Sequence, residues 1–160
     1  MNIPSNSAVN VNLNIGAPVD PTLVEAKIVF TTYDGGDDKD ANSYLKITLY
    51  TDYWNGFIVK IAYRDRETYG RFNDDNGGSI NTIPLNLSGS LPLSSISNAK
   101  TKLEFDPNGD DTWKFHYSLD LKFSNGLVLS REKRNEYLSD GRRWLMNNII
   151  YFLTMPESYL

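Results

Sequence analysis

TWKFHYSLDLKF, residues 112–123, alternates without a break. Trp113, Phe115, Tyr117, Leu119, Leu121 and Phe123 share one face of an extended chain. Thr112, Lys114, His116, Ser118, Asp120 and Lys122 share the other. Side chains of a strand point alternately to its two sides, so this is a strand with one face on a core and one in water. Asn125-Gly126 is a hairpin signal that turns the chain into GLVLSRE, residues 126–132.

The same period of two recurs upstream. It is read in EAKIVFTT (25–32), SYLKITLY (43–50), GFIVKIAYR (56–64) and AKTKLEF (99–105). Asn55-Gly56 closes a hairpin between the second and third of these. INTIPLNL (80–87) is a weaker strand, and Pro84, which has no N–H to donate, places it at an edge or a bulge. No segment before residue 133 carries a 3.6-residue period. Seven or eight short strands joined by Gly, Asn and Asp turns predict an antiparallel β-sandwich over residues 25–160. Residues 1–24 read as an extended arm with one edge strand at 9–15, since Pro4, Pro18 and Pro21 argue against helix. RRWLMNNIIYFL (142–153) fits a last strand or a short helix, and periodicity leaves both open.

A chain of 160 residues, 40 % hydrophobic and 12 % aromatic, suits one domain with a real core. The net charge of −4 gives nucleic-acid binding no electrostatic support. The absence of cysteine removes disulfides, thiolate zinc sites and cysteine nucleophiles. The first residues lack the basic and apolar regions of a signal peptide, and no run reaches the ~18 apolar residues of a membrane span. The expectation is a protein that is not transmembrane; its compartment stays open between the cytosol, export with the signal removed and export by another route, with a secreted or peripheral place favoured.

Charge is distributed unevenly. Residues 34–40 carry Asp34, Asp37, Asp38 and Asp40. FNDDNGGS (72–79) carries Asn73, Asp74, Asp75 and Asn76, and FDPNGDD (105–111) carries Asp106, Asn108, Asp110 and Asp111. These three connections hold nine of the fourteen aspartates. They follow the first, third and fifth strands counted from residue 25. Strands that alternate in direction place alternate loops at one end, so all three acidic loops are expected together. Asp and Asn are ordinary turn residues, but Gly, Asn and Ser would make the same turns without mutual repulsion. Calcium, which takes six to eight oxygen ligands, supplies the missing positive charge, whereas zinc prefers His or Cys.

Two of these stretches carry a family resemblance. IVFTTYDGGDDKDANSYLKITLY (28–50) and FDPNGDDTWKFHYSLDLKF (105–123) resemble the PLAT, or lipoxygenase-homology, β-sandwich, over roughly residues 25–130. The Gly-Thr usual before the second acidic residue is replaced here by Asp37-Asp38. The resemblance implies a non-enzymatic module that docks on lipid or on a protein partner, with calcium in the loops at one end. It carries over Asp34, Asp38 and Asp40, then Asn73, Asp75 and Asn76, then Asp106, Asp110 and Asp111 as metal ligands.

Tyr33 and Tyr69 flank the acidic loops as candidate ligand or membrane contacts, whereas Phe72 and Trp113 continue apolar alternation and are read as core. Arg142 and Arg143 end the one locally basic stretch, residues 131–144, and are candidates for phosphate or anionic lipid. His116 is the single histidine and is read as a solvated strand residue. The leading expectation is therefore a calcium-dependent binding module, with membrane lipid as first target. A lectin-like module, in which calcium coordinates sugar hydroxyls, is the first alternative. The second is a structural subunit of a toxin, virion or secretion assembly that self-associates through the arm.

Overall fold

The computed structural model describes residues 19–33, 37–52, 58–67, 72, 78–96 and 98–148. It holds nine strands and one 3-10 turn (Leu93–Ile96), and no α-helix occurs among the described residues. The strands are β1 (Leu23–Thr32), β2 (Tyr44–Asp52), β3 (Ile58–Glu67), β4 (Ile80–Pro84), β5 (Asn86–Leu87), β6 (Ala99–Asp106), β7 (Thr112–Phe123), β8 (Val128–Ser139) and β9 (Trp144–Asn148). They form two antiparallel sheets, ordered β4-β1-β7-β8 and β5-β3-β2-β6-β9. The all-β sandwich read from the sequence is the fold. Residues 1–18 of the expected arm and residues 149–160 lie outside the described residues, and the arm's last two residues, Leu23 and Val24, already belong to β1, where Leu23 pairs with Phe123.

Alternation places the core. The odd-numbered residues of β7 from Trp113 to Phe123 are all buried, opposite Leu45, Ile47 and Leu49 of β2 and Leu103 and Phe105 of β6. Phe30 sits at the centre of an aromatic group, with ring centroids 5.0 Å from Trp113, 5.5 Å from Phe115, 5.9 Å from Tyr117 and 6.1 Å from Phe72. Trp113 stacks on Phe115 at 4.0 Å, and its Nε1–H donates to Thr32 Oγ1 at 3.1 Å, so its one polar atom is satisfied inside. Phe72 and Trp113 are core, as the alternation implied.

Two stretches depart from the sequence reading. Residues 80–87 divide between the sheets. Pro84 faces Lys27 as the last residue of β4 on β1, the Leu85 N–H then bonds Ala26 O at 2.9 Å, and the chain crosses to pair Leu87 with Ala62 of β3. A residue with no N–H ends one ladder, and the next strand begins in the other. Residues 133–139, read only as a charged stretch, extend β8 to Ser139. One irregularity interrupts that edge. Asn135 takes a positive φ of 58°, and the β7–β8 register shifts between Phe115 and Tyr117. A bulge and charged side chains on an edge strand discourage pairing with another chain. The segment at 144–148, left open between strand and helix, is strand β9 on β6.

Replacing Phe30 with alanine removes a fully buried ring that contacts four others. The expected loss is about 3–5 kcal/mol in urea unfolding, with the fold retained at low denaturant.

Candidate metal centre

The pairings bring the ends of β1, β3, β6 and β8 and the starts of β2, β4, β7 and β9 to one rim. Thr31 faces Ile80, Thr32 faces Phe115, Leu45 faces Glu67, Tyr44 faces Asp106, Thr112 faces Ser139 and Glu104 faces Trp144. The β1–β2, β3–β4 and β6–β7 connections therefore share an end, as strand parity requires. Splitting residues 80–87 into β4 and β5 does not disturb this, because both pieces run the same way.

At that rim Asp38, Asp40 and Asp111 present carboxylate oxygens within 4.8 Å of one another. Two come from the β1–β2 connection and one from the residue before β7. The Asp40 N–H donates to Asp111 Oδ2 at 3.2 Å, and the Ser43 hydroxyl donates to the same oxygen. The Asn108 N–H donates to Ser43 Oγ at 3.0 Å, which ties the third loop to the first. Partial burial pushes the Asp111 carboxyl above its usual range, opposed by the Ser43 and Asp40 hydrogen bonds.

Lys39 is the residue that alternation does not reveal. It is fully buried, although acidic residues flank it on both sides in the sequence. Its backbone pairs with Phe72, the Lys39 N–H donating to Phe72 O at 3.3 Å and the Phe72 N–H to Lys39 O at 3.0 Å. The ammonium donates to the Asp40 carbonyl at 3.0 Å and lies 5.2 Å from the centroid of the Phe72 ring. Removal from water pushes its pKa down to about 8, and Asp111 and Asp40 oppose that shift without cancelling it. The rim thus carries an ammonium of its own beside the three carboxylates. A lysine inside an acidic run is a sequence signal, but its burial depends on Phe72, 33 residues on.

The other candidates fall in different places. Asp110 is exposed, and Asp106 ends β6 outside the three-carboxylate cluster. Asp34, Tyr69, Asn73, Asp75 and Asn76 lie outside the described residues. Asp37 pairs with Lys114 at 2.8 Å. The Tyr33 hydroxyl donates to Asn135 Oδ1 at 2.8 Å and accepts from the Asn135 N–H at 2.7 Å, with its ring 5.4 Å from His116. Tyr33 therefore holds the β8 bulge. Arg142 reaches Glu136 at 3.8 Å and lies 4.4 Å over the Tyr137 ring, while Arg143 pairs with Asp140. Both arginines belong to the β8–β9 connection at the same rim.

Gly78 fixes the far end of the second acidic connection. It has a φ of +77°, and a Cβ there would sit 2.0 Å from the Thr32 carbonyl oxygen. Gly78→Ala is expected to cost about 1–3 kcal/mol in chemical denaturation, because backbone meets backbone and neither yields.

Lys39 yields a pH test. Its folded pKa lies below the value of 10.5 for a free lysine, so between about pH 8 and 10.5 the unfolded chain binds more protons than the folded one. Stability from this group therefore rises with pH across that window and is flat below it, by up to about 3 kcal/mol in all. Urea midpoints at pH 7.5 and 10 are expected to show the rise relative to Lys39→Met, which lacks the group.

No protein-family model, curated protein or solved structure matches this chain, so its own chemistry decides what this rim does.

Proposed function

We propose that this chain is a non-enzymatic binding module that takes a calcium ion at the rim of the sandwich and uses it to dock on membrane lipid. The observation that carries the reading is the approach of Asp38, Asp40 and Asp111 within 4.8 Å, from two connections far apart in sequence. Three carboxylates and the Lys39 ammonium sum to −3 + 1 = −2 when all are charged, which is the charge a divalent cation neutralises. Further oxygens are close, on the Asp40 carbonyl and the Ser43 hydroxyl. An all-oxygen set of this kind suits a hard cation.

Docking follows by charge inversion. The acidic rim repels an anionic surface until the ion is bound. The loaded ion then offers open coordination positions to a phosphate or carboxylate of the head group. Arg142 and Arg143, on the neighbouring connection at the same end, would reach a head-group phosphate by exchanging it for Glu136 and Asp140. The likeness of residues 28–50 and 105–123 to PLAT sequences points to the same class of target.

Thermal unfolding of chelator-treated protein, with and without millimolar calcium and with magnesium as control, tests the first step. A hundredfold excess of calcium over its dissociation constant stabilises by about 2.7 kcal/mol. For a domain of this size that raises Tm by roughly 5–10 °C. Asp111→Asn is expected to abolish the rise. Co-sedimentation with phosphatidylserine vesicles, and a glycan array run with and without calcium, separates lipid from a sugar bound through the same ion. Failure of calcium to move Tm removes the reading.

A further inference from the structure

The described strands leave four outer edges, β4 and β8 on one sheet and β5 and β9 on the other. An outer strand carries N–H and C=O groups that no ladder uses, and three of these edges limit them. β5 is two residues long. β8 carries Arg131, Glu132, Lys133 and Arg134 before its irregularity at Asn135. β4 ends on Pro84. The Leu85 N–H bonds Ala26 O, and bonded positions alternate along an antiparallel ladder, so Pro84 is turned to the free side, where it has no N–H to offer.

β9 has none of these devices. WLMNN (144–148) contains no charge, no proline and no glycine, and its register on β6 is unbroken. The hydrogen bonds decide which of its residues point outward. The Phe105 N–H donates to Arg143 O at 2.7 Å, one residue before the strand. By alternation Leu145 and Asn147 also bond to β6. Trp144, Met146 and Asn148 then direct their N–H and C=O to the other side, where no strand stands among the described residues.

A hollow of about 380 Å³ lies here, lined by Gly141, Arg142, Arg143, Trp144, Leu145 and Met146. Consecutive strand residues point to opposite faces, so a hollow that touches all of them follows the edge. Trp144 and Met146 are 60 % and 45 % exposed beside it.

We propose that this edge receives residues 9–15 of a second copy of the chain, so that two molecules exchange their N-terminal arms. VNVNLNI alternates apolar residues with asparagine and contains no charge, proline or glycine. A strand added to an edge gains its affinity from main-chain hydrogen bonds, and seven residues cover the five of β9. Val9, Val11, Leu13 and Ile15 would extend the layer to which Leu145 belongs, with the asparagines in water. An exchange of arms uses the same two surfaces on both molecules and closes with two copies.

Direction selects a second copy over the same molecule. β9 runs from the acidic rim to the opposite rim, where β1 begins. The chain before β1 is tied there. Pro21 O accepts from the Leu93 N–H and Thr22 O from the Ser124 N–H, both at 2.8 Å, and Asp20 accepts from the Ser94 hydroxyl. Val19, where the arm joins, is 90 % exposed. In the same molecule residues 9–15 would therefore lie parallel to β9. To reverse them, residues 16–19, which span ~14 Å, would have to run back along a strand of ~17 Å. Every pairing in both sheets is antiparallel. An arm from another molecule meets β9 in that direction.

The test is light scattering of the full chain in chelator, across a dilution series. The parent is expected to show the mass of two chains. Val11→Pro/Leu13→Pro, which removes two N–H groups well before β1, is expected to halve it. Met146→Pro deletes an outward N–H and spares the β6 ladder, and it is expected to do the same. Met146→Lys, which charges the same edge, stands in if the proline variant does not melt cooperatively. At the highest concentration an equimolar mixture of arm and edge variants is expected to recover a two-chain species, because one intact arm meets one intact edge. A parent with the mass of one chain at every concentration overturns the proposal. So does a two-chain mass that survives the arm variant, as β9 pairing with β9 would give. A two-chain mass in an edge variant that melts like the parent, or a mixture without a two-chain species, overturns it as well. Chelator throughout keeps the outcome separate from calcium at the rim.

Discussion

Asp38, Asp40 and Asp111 bring three carboxylates within 4.8 Å of one another. At an effective dielectric near 20, two unit charges ~4 Å apart interact by about 4 kcal/mol. That repulsion is the constraint to which the loops of this end conform. The Asp40 N–H and the Ser43 hydroxyl donate to Asp111, and the Lys39 ammonium interacts electrostatically with Asp111 and Asp40. Each is held by a contact between loops distant in sequence. The acidic rim is thus also the place where the connections are tied together.

Burying Lys39 is an expensive way to supply a positive charge. A surface lysine would screen the carboxylates at almost no desolvation cost, yet this one is sealed off and its pKa falls to about 8. The compensation is geometric. Its main chain pairs with that of Phe72, whose ring packs on Phe30 and Trp113 in the core. The aromatic core and the charged rim therefore meet at one residue pair. A change at either is felt at both.

A second polar tie holds the sheets together beside the core. The Tyr117 hydroxyl accepts from Asn147 Nδ2 at 3.0 Å, and the same amide donates to Glu136 Oε1 at 3.0 Å. Strands from both sheets thus share one hydrogen-bonded group at the β8–β9 side. Burial pushes the Tyr117 hydroxyl up to about 12, so it stays protonated.

Period-two alternation was enough to define the sandwich, because a strand that packs on one face must alternate, and β7 does so for all twelve of its residues. Strand parity likewise sufficed to collect the acidic connections at one end, since antiparallel neighbours leave no other arrangement. Pro84 marked the break in residues 80–87, but which sheet each half joins depends on the register with β1 and β3. The roles of Lys39, Ser43 and Tyr33 were not legible, because each is set by a partner 33 or more residues away in the chain. The same holds for the outer face of the five-stranded sheet. Lys46, Lys60, Lys100 and Lys102 are scattered over three strands, and only the register of β3 on β2 and of β2 on β6 brings them onto one surface. Local periodicity decides which way a side chain points, and tertiary pairing decides what it meets there.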